Sequence, residues 1–165
     1  CQTVEVDLDK LCPQVAKPHK VDNVSPIAEV EGTPVQHAII GTCTNGRIED
    51  LEVAARILDG KKIAHGMTLT ISPASKAVYI EAIHRGYVET FLRAGATIAI
   101  PGCSGCSGGA YVGIPADGEA VITTANRNFK GRLGNANSFL YLASPATVAA
   151  SALTGCIEDS RNYVR

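Results

Sequence analysis

Two cysteines lie three positions apart in a glycine-rich stretch that could hold a metal. Cys103 and Cys106 belong to the sequence Pro101-Gly102-Cys103-Ser104-Gly105-Cys106-Ser107-Gly108-Gly109. Glycine lets the backbone turn with positive φ and approach a bulky group closely, and two thiolates at this spacing can point at one metal centre. A Cys-x-x-Cys pair also fits a redox dithiol, half of a zinc site or one corner of a cluster. Other parts of the chain must decide among these chemistries.

A third cysteine, Cys43, follows a predicted strand in the same way. Residues 36–41 are typical of a buried strand, and a helix is predicted from about Ile48 to Leu58. Ligands of open α/β sheets bind at the carboxyl ends of the strands, and a helix N-terminus there favours a thiolate or an anion. A predicted strand over residues 97–100 leads into Cys103. We therefore expect Cys43, Cys103 and Cys106 to lie on one edge of one sheet.

A loop rich in arginine and asparagine follows another predicted strand, over residues 119–124. Arg127 and Arg132 lie in this loop, and the planar guanidinium group suits bidentate recognition of a carboxylate. An iron–sulfur cluster held by only three thiolates would leave one iron without a protein ligand, and that iron can act as a Lewis acid. The combination suggests chemistry on a hydroxy di- or tricarboxylic acid.

Structural zinc is the alternative that the spacing leaves open. Zinc would need a fourth ligand, and Cys1, Cys12 or Cys156 are the available thiols, although none lies in a glycine-rich junction. Cys12 and Cys156 are better explained as small core residues. The histidines His19, His37 and His65 show no i, i+4 pairing, so the pattern gives little reason to expect them as ligands.

Strand and helix patterns alternate along the chain and predict an α/β domain with a mostly parallel sheet and right-handed crossovers. The predicted strands cover residues 4–8, 36–41, 67–71, 97–100, 119–124 and 139–142, and the predicted helices cover 48–58, 76–84, 88–93 and 146–153. Residues 12–19 and 22–34 are expected to be irregular because prolines interrupt them. Ser75 and Ser144 are predicted helix N-caps, and Gly95 and Gly155 are predicted to end helices.

Composition narrows the class of protein further. The chain has 165 residues, 45% hydrophobic and 19% charged, with a net charge of −1; this fits one globular domain and argues against nucleic acid as the main partner. No apolar run approaches membrane-spanning length, and no signal peptide is recognisable. Six cysteines without a dense disulfide pattern favour a reducing cytoplasm. Because the chain begins with Cys1 and no methionine, we expect residues 1–165 to be a piece of a longer protein.

Three segments together resemble a known family. They are Gly41-Thr42-Cys43-Thr44-Asn45-Gly46-Arg47-Ile48-Glu49-Asp50-Leu51, Cys103-Ser104-Gly105-Cys106 and Thr124-Ala125-Asn126-Arg127-Asn128-Phe129-Lys130-Gly131-Arg132. These segments, and residues 141–152 after them, resemble the cysteine and arginine motifs of the aconitase family. Residues 15–19 and 73–75 are similar to the branch that contains the large subunits of 3-isopropylmalate dehydratase and homoaconitase.

The resemblance implies a three-layer domain like the third, cluster-bearing domain of that family. It implies that Cys43, Cys103 and Cys106 ligate a [4Fe–4S] cluster whose open iron binds the substrate. It also implies that Arg127 and Arg132 bind substrate carboxylate and that Asn126 lines the pocket. The catalytic base and further arginines would belong to a swivelling domain or small subunit, and other active-site residues to upstream domains, so that this chain is expected to be inactive alone.

One departure from the family pattern concerns the second cysteine loop. The family usually has Cys-Gly-x-Cys-Leu-Gly, whereas Ser104 precedes Gly105 here and Ser107 follows Cys106. All three thiols are retained, so cluster binding is still expected, while the polarity of the pocket and the substrate can differ. Arg47, Glu49 and Asp50 are explained more simply by helix capping and surface pairing than by catalysis.

Two functions of other classes remain open from the sequence. A non-catalytic iron–sulfur or zinc-binding module would show a fourth protein ligand and would not depend on Arg127 or Arg132. An RNA-binding role of the cluster-free form, as some relatives have, would show salt-dependent binding to RNA. The near-neutral charge argues against the second alternative.

Overall fold

The computed structural model describes residues 3–7, 10–104 and 113–163. Its strands are β1 (Gln14–Ala16), β2 (Val24–Pro26), β3 (His37–Gly41), β4 (Thr68–Ser72), β5 (Thr97–Ile98), β6 (Ala120–Thr123) and β7 (Phe139–Leu142). Its α-helices are α1 (Thr42–Asn45), α2 (Ile48–Leu58), α3 (Lys76–His84), α4 (Tyr87–Ala94) and α5 (Pro145–Thr154). Short 3₁₀ helices cover Ile27–Glu29 and Ser160–Asn162. In the described residues, no helix has the length and apolar character needed to cross a membrane.

All seven strands form one sheet in the order β2-β1-β7-β6-β3-β4-β5. The five strands from β7 to β5 are parallel to one another, whereas β1 is antiparallel to both β2 and β7. Because the five central strands share one direction, their carboxyl ends lie on the same edge of the sheet. The predicted α/β class with a mostly parallel sheet and flanking helices is confirmed.

The strands alternate their side chains between two apolar cores, as the pleat of a β-strand requires. Ala38 and Ile40 of β3 belong to the larger core, to which α2, α4 and α5 also contribute, while Ile39 belongs to a smaller cluster. That smaller cluster joins Ile39 to Val121, Leu133 and Leu140. Helix α2 packs against both α4 and α5. The loop that carries Leu133 therefore covers the face of the sheet opposite to helices α2, α4 and α5.

The predicted helix boundaries are supported by their capping groups. The Ser75 Oγ atom accepts a hydrogen bond from the Val78 N–H at 3.2 Å, and the Ser144 Oγ atom accepts one from the Thr147 N–H at 3.2 Å. The residue that follows α5, Gly155, has a left-handed backbone with φ of 78°. The predicted starts and ends of α3 and α5 are thereby confirmed to within one residue.

The first strand prediction is wrong for the residues that the structure describes. Residues 3–7 form no strand, and Val4 and Val6 are 74% and 60% exposed. An alternating pattern forms a strand only where a neighbouring strand offers its backbone groups, and no such partner pairs with residues 3–7. Residue 8, the last of the predicted strand, lies outside the described residues.

Two short strands occur where prolines had predicted irregular structure. Strands β1 and β2 form an antiparallel pair in which Val15 lies opposite Ser25, and Val15 is fully buried. Proline is compatible with a sheet at an edge strand or at a strand end. Pro13 precedes β1, and Pro26 is the last residue of the edge strand β2, so both prolines occupy tolerated positions.

Candidate metal centre

Cys43 lies at the carboxyl end of β3, in the short helix α1, and its side chain is exposed. The residue before it, Thr42, is buried and has a positive φ of 69°. A β-branched residue is rarely found in this left-handed region, and such strained positions concentrate at functional sites. The Oγ1 atom of Thr42 is buried without a hydrogen-bond partner in the described part of the chain. The turn that exposes Cys43 therefore carries the energetic cost of a strained backbone and an unpaired hydroxyl at Thr42.

Two glycines let the Cys43 turn lie directly against the end of β4. A methyl group added to Gly41 would lie 2.0 Å from the Ser72 carbonyl oxygen, and one added to Gly46 would lie 2.6 Å from the same atom. Such distances are far below any van der Waals contact, so no residue with a Cβ fits without a shift of the backbone. The Ala74 N–H also donates to the Gly46 carbonyl at 2.9 Å.

The residues on either side of Cys103 also contact residues 72–74, at the end of β4. The Gly102 N–H donates to the Pro73 carbonyl at 2.8 Å. The Ser72 Oγ atom lies 2.7 Å from the Ser104 Oγ atom and 3.3 Å from the Gly102 carbonyl oxygen. Ser104 is buried, whereas Cys103 between these two anchored residues is exposed. Residues 72–74, called the connector below, thus contact the residues that flank each of the two cysteines.

The predicted metal ligands are only partly described by the structure. Strand β4 alone separates β3 from β5, so the Cys43 and Cys103 loops follow two strands on either side of one central strand. Cys106 lies outside the described residues. In the ranges 3–7, 10–104 and 113–163, no group of three or more His, Cys, Asp or Glu side chains could hold a metal ion. The ligand set of Cys43, Cys103 and Cys106 remains a prediction.

The arginine loop begins next to the Cys43 turn. The Thr124 Oγ1 atom accepts a hydrogen bond from the Gly41 N–H at 2.8 Å and donates one to the Gly41 carbonyl at 3.1 Å. The Asn45 Nδ2 atom donates to the Thr124 carbonyl at 2.5 Å. Asn126 and Arg127, which follow Thr124 closely, are exposed. The first residues of the arginine loop are therefore fixed to the turn that carries Cys43.

Both predicted carboxylate-binding arginines lack a carboxylate partner in the part of the chain that the structure describes. The Nε atom of Arg132 is buried without a hydrogen-bond partner, and its guanidinium carbon lies 5.5 Å from the centre of the Phe129 ring. Arg127 lines an open cavity of about 440 Å³ together with Lys20 and Phe129. Arginines elsewhere on the surface form ion pairs, namely Arg56, Arg85, Arg93 and Arg161. Arg127 and Arg132 therefore remain available to an anionic ligand.

Asn128 holds the arginine loop in place, a role that the sequence did not predict although the residue lies in the arginine motif. Its side chain is fully buried, and its Nδ2 atom lies 2.9 Å from the Lys17 carbonyl oxygen and 3.3 Å from those of Lys20 and Leu140. The amide thus joins the turn between β1 and β2 to the loop that carries Arg127. Only the tertiary contact between segments more than 100 residues apart reveals this role.

The structure also tests two simpler predictions: that Cys12 and Cys156 are core residues, and that Arg47 serves helix capping. Cys12 and Cys156 are half-buried, so the prediction that they are core residues is wrong. Cys156 directly follows the Gly155 that ends α5, at an isolated bridge with Pro34, which leaves its side chain near the surface. The Arg47 N–H donates to the Asp50 Oδ2 atom at 3.1 Å, which confirms that the helix α2 start is capped.

The chain is similar to known proteins over most of its length. The model of the aconitase family (aconitate hydratase) matches residues 26–155. The chain is 53% identical over 161 residues to the 3-isopropylmalate dehydratase large subunit 2 of Archaeoglobus fulgidus, covering 98% of this chain and 38% of that protein. It is 56% identical over 155 residues to the probable methanogen homoaconitase large subunit of Methanosarcina mazei, covering 94% and 39%.

A bacterial relative shows similar coverage. The chain is 46% identical over 163 residues to the 3-isopropylmalate dehydratase large subunit 1 of Thermotoga maritima, covering 98% of this chain and 39% of that protein. The chain thus spans less than two fifths of the length of these curated relatives. The family model itself covers well over half of the chain. On this match and these identities, the chain belongs to the aconitase family.

Proposed function

We propose that this chain is the cluster-bearing domain of a hydro-lyase that acts on a 2-hydroxy di- or tricarboxylic acid. The observation that carries the proposal is the arrangement of Cys43 and Cys103, two exposed thiols that follow the strands on either side of β4. The connector contacts the neighbours of both cysteines, and the loop of Arg127 and Arg132 begins beside the Cys43 turn. Thiolates and guanidinium groups together suit a metal cluster and an acidic substrate.

Cys43, Cys103 and Cys106 would hold a [4Fe–4S] cluster. The donor set fits this group, because thiolates are the ligands of iron–sulfur clusters and both described thiols are exposed and free of disulfides. When bound, such a cluster would supply one iron without a protein ligand as a Lewis acid for a substrate hydroxyl and carboxylate. The glycines at positions 41 and 46 give the backbone the close approach that keeps Cys43 at this edge.

Arg127, Arg132 and Asn126 would bind and orient the substrate. In the described residues neither guanidinium group has a carboxylate partner, so each can donate to a substrate carboxylate in the bidentate manner that arginine favours. The Nε atom of Arg132, which is buried and unpaired in the part of the chain that the structure describes, would gain an acceptor on binding. A buried donor without a partner costs about 1–3 kcal/mol, so a bound carboxylate would recover that free energy. Asn126 is exposed beside Arg127 and would line the pocket.

The most specific form of the proposal is the large subunit of 3-isopropylmalate dehydratase, with a role in leucine biosynthesis. Relatives with that printed name are 53% and 46% identical to this chain. Homoaconitase is the second candidate, because a relative named as a probable homoaconitase large subunit is 56% identical. We expect the partner subunit to decide which of these substrates is used.

The remaining parts of the active site would come from outside residues 1–165. These residues would form a single domain, and a small swivel-domain subunit together with the upstream domains of the large subunit would complete the enzyme. The relatives are themselves named large subunits, which supports a small partner subunit. We place the enzyme in the cytoplasm, where reducing conditions keep the ligand cysteines as thiols, and we expect no membrane and no nucleic acid as partners.

The test is the iron and acid-labile sulfide content of the chain after anaerobic reconstitution. We expect about four irons per chain, as a [4Fe–4S] cluster on thiolate ligands requires, and complete loss of the cluster in Cys43→Ser. Cys156→Ser is the matched control, because it removes a half-buried thiol away from the site; it should bind the cluster as well as the wild type.

Two outcomes would contradict the proposed function. Zinc in place of iron, with a fourth protein ligand, would favour the non-catalytic metal-binding module. Unchanged iron content in Cys43→Ser would remove Cys43 from the ligand set. If the cluster forms and is lost in Cys43→Ser, activity should be measured with the missing domains and the small subunit added, since the isolated chain is expected to be inactive.

A further inference from the structure

The connector holds the two cysteine loops by different kinds of contact. Toward Cys43 the contacts are made by backbone: Gly41 and Gly46 pack on the Ser72 carbonyl, and the Ala74 N–H binds the Gly46 carbonyl. Toward Cys103 the Ser72 side chain takes part as well, through the Ser104 hydroxyl and the Gly102 carbonyl. Among the contacts that the connector makes with described residues, those toward Cys103 therefore include a side chain that a substitution can remove.

The two hydroxyl groups form a buried pair in which either oxygen can be the donor. Ser72 is fully buried and Ser104 is 6% exposed, and their Oγ atoms lie 2.7 Å apart. A hydroxyl group has one hydrogen to donate. If the Ser72 hydroxyl donates to the Gly102 carbonyl, then the Ser104 hydroxyl donates to Ser72. Loss of either hydroxyl removes this bond and leaves a buried polar group without the partner it has here, which is costly.

Strand β5 gives the Cys103 loop little support of its own. It contains only Thr97 and Ile98. Beyond it, the Ala99 N–H donates to the Ile71 carbonyl and the Gly102 N–H donates to the Pro73 carbonyl, both at 2.8 Å. Because β5 pairs with β4 over only two residues, each additional hydrogen bond makes a large contribution to the order of the loop.

We propose that Ser72 is a positioning residue for the Cys103 thiolate. Its hydroxyl binds the residues on both sides of Cys103 and holds the loop in its ligand-binding shape before any metal is present. The inference about loop order rests on these contacts alone. Its consequence for cluster retention rests on the proposed function.

The first experiment measures amide hydrogen exchange in the metal-free chain by NMR. In Ser72→Ala, the Gly102 amide should exchange about fivefold faster, which corresponds to the loss of one net hydrogen bond from the opening equilibrium. The Ala74 amide, which binds Gly46 on the Cys43 side, should exchange at an unchanged rate. Ser104→Gly removes the same hydroxyl pair, returns the residue usual in the family, and should have the same effect; it also serves if Ser72→Ala does not fold.

The second experiment measures how fast a chelator removes iron from the reconstituted chain, followed by the visible absorption of the cluster. Ser72→Ala and Ser104→Gly should lose iron several-fold faster than the wild type. Ser151→Ala is the matched control, because Ser151 is also fully buried and its hydroxyl donates to the Thr147 carbonyl at 2.7 Å in α5. It should lower stability without changing the rate of iron loss.

The outcomes separate this inference from the proposed function. Unchanged exchange of the Gly102 amide in both variants would overturn the inference. Faster exchange with an unchanged rate of iron loss would overturn it as well, because the loop would then be ordered by Ser72 without positioning the thiolate. If no variant, the wild type included, binds iron but Gly102 exchange still accelerates, the proposed function fails and the ordering of the loop by Ser72 is supported.

Discussion

The carboxyl edge of the parallel strands carries exposed thiols and a strained turn, whereas the polar side chains described at the amino edge are paired with one another. Cys43 and Cys103 are exposed at the carboxyl edge, and Arg132, in the loop that begins there, has a buried Nε atom without a partner in the described residues. Thr42 next to Cys43 has a positive φ and a buried hydroxyl without a partner. The positive φ and the two buried polar atoms without a partner each cost stability in the chain as it stands.

At the amino edge, His37 uses both of its ring nitrogens. Its Nε2 atom lies 2.9 Å from the Glu119 Oε2 atom, and its Nδ1 atom lies 2.6 Å from the Thr68 Oγ1 atom. The same Glu119 oxygen accepts the Ala116 N–H at 2.7 Å, and the Gln36 Oε1 atom accepts the Ala120 N–H at 2.8 Å. These residues begin β3, β4 and β6 and join neighbouring strands to one another.

The contrast separates residues that build the fold from residues that are available for chemistry. Both edges belong to the same parallel strands, so the difference lies in the side chains and not in the backbone architecture. Buried polar groups are nearly always paired in folded proteins, so the unpaired atoms of Thr42 and Arg132 are candidates for pairing with a ligand. The comparison predicts which substitutions reduce stability and which do not.

The largest effect on stability is expected from Gly41→Ala. The residue has a φ of 117°, and a Cβ would lie 2.0 Å from the Ser72 carbonyl oxygen, so the variant should lose about 3 kcal/mol or more of unfolding free energy in urea titrations. Gly60→Ala is the control, because its φ of 68° is also positive but nothing lies within 4 Å of the added atom; it should cost about 1–2 kcal/mol. Equal losses in both variants would show that the Cys43 turn is not packed as described.

A smaller, pH-dependent effect is expected from Glu119→Gln at the amino edge. The hydrogen bond from His37 and then that from the Ala116 N–H lower the pKa of Glu119 below its ordinary value of 4.5. A carboxylate with a lowered pKa stabilises the fold above that ordinary value, and this contribution is lost as the pH falls through the folded-state pKa. The contribution should be below about 1 kcal/mol because the pair is partly exposed.

The measurement for Glu119→Gln is urea unfolding at a series of pH values. The wild type should lose more stability than the variant between pH 4.5, the ordinary pKa of the carboxyl group, and more acidic values. Identical slopes for the two proteins would show that the amino-edge pair does not contribute. Glu5→Gln is the matched control for a glutamate-to-amide change, since Glu5 is exposed and forms no ion pair in the described residues.

The smallest loss of stability is expected from Arg132→Gln in the loop that begins at the carboxyl edge. Because Arg132 has no carboxylate partner in the described residues and carries an unpaired buried Nε atom, its replacement should lower the unfolding free energy by no more than about 0.5 kcal/mol, and removal of the unpaired donor can raise it. Arg56→Gln, which breaks the pair with Glu52, is the comparison on the helix surface. A loss well above 1 kcal/mol in Arg132→Gln would assign this arginine to the fold instead of the site.

The elements that local patterns specify were predicted well. The spacing of Leu51, Ala54, Ala55 and Leu58 predicted helix α2, and these residues are buried in the main core. The cap residues Ser75 and Ser144 predicted where helices α3 and α5 begin. Such signals depend on contacts within one or two turns of chain, so they can be recognised without knowledge of the fold.

Predictions that depended on distant partners failed or were not made. The alternation at Val4 and Val6 predicted a strand, but no strand pairs with residues 3–7. Strand β1 was missed because its pairing with β2 and β7 is not visible in a proline-rich segment. Cys12 and Cys156 were expected in the core, yet both are half-buried, since burial is decided by what packs around a residue.

The sequence by itself determined the α/β alternation and the family, because cysteine and arginine motifs and apolar periodicity are local properties. It also indicated that Cys43 and Cys103 follow strands. Only the tertiary structure decided that Ser72 lies between their loops and that Asn128 anchors the loop of Arg127. These contacts join segments about 30 and more than 100 residues apart, and no local pattern encodes them, because each arises only when the sheet has brought the segments together.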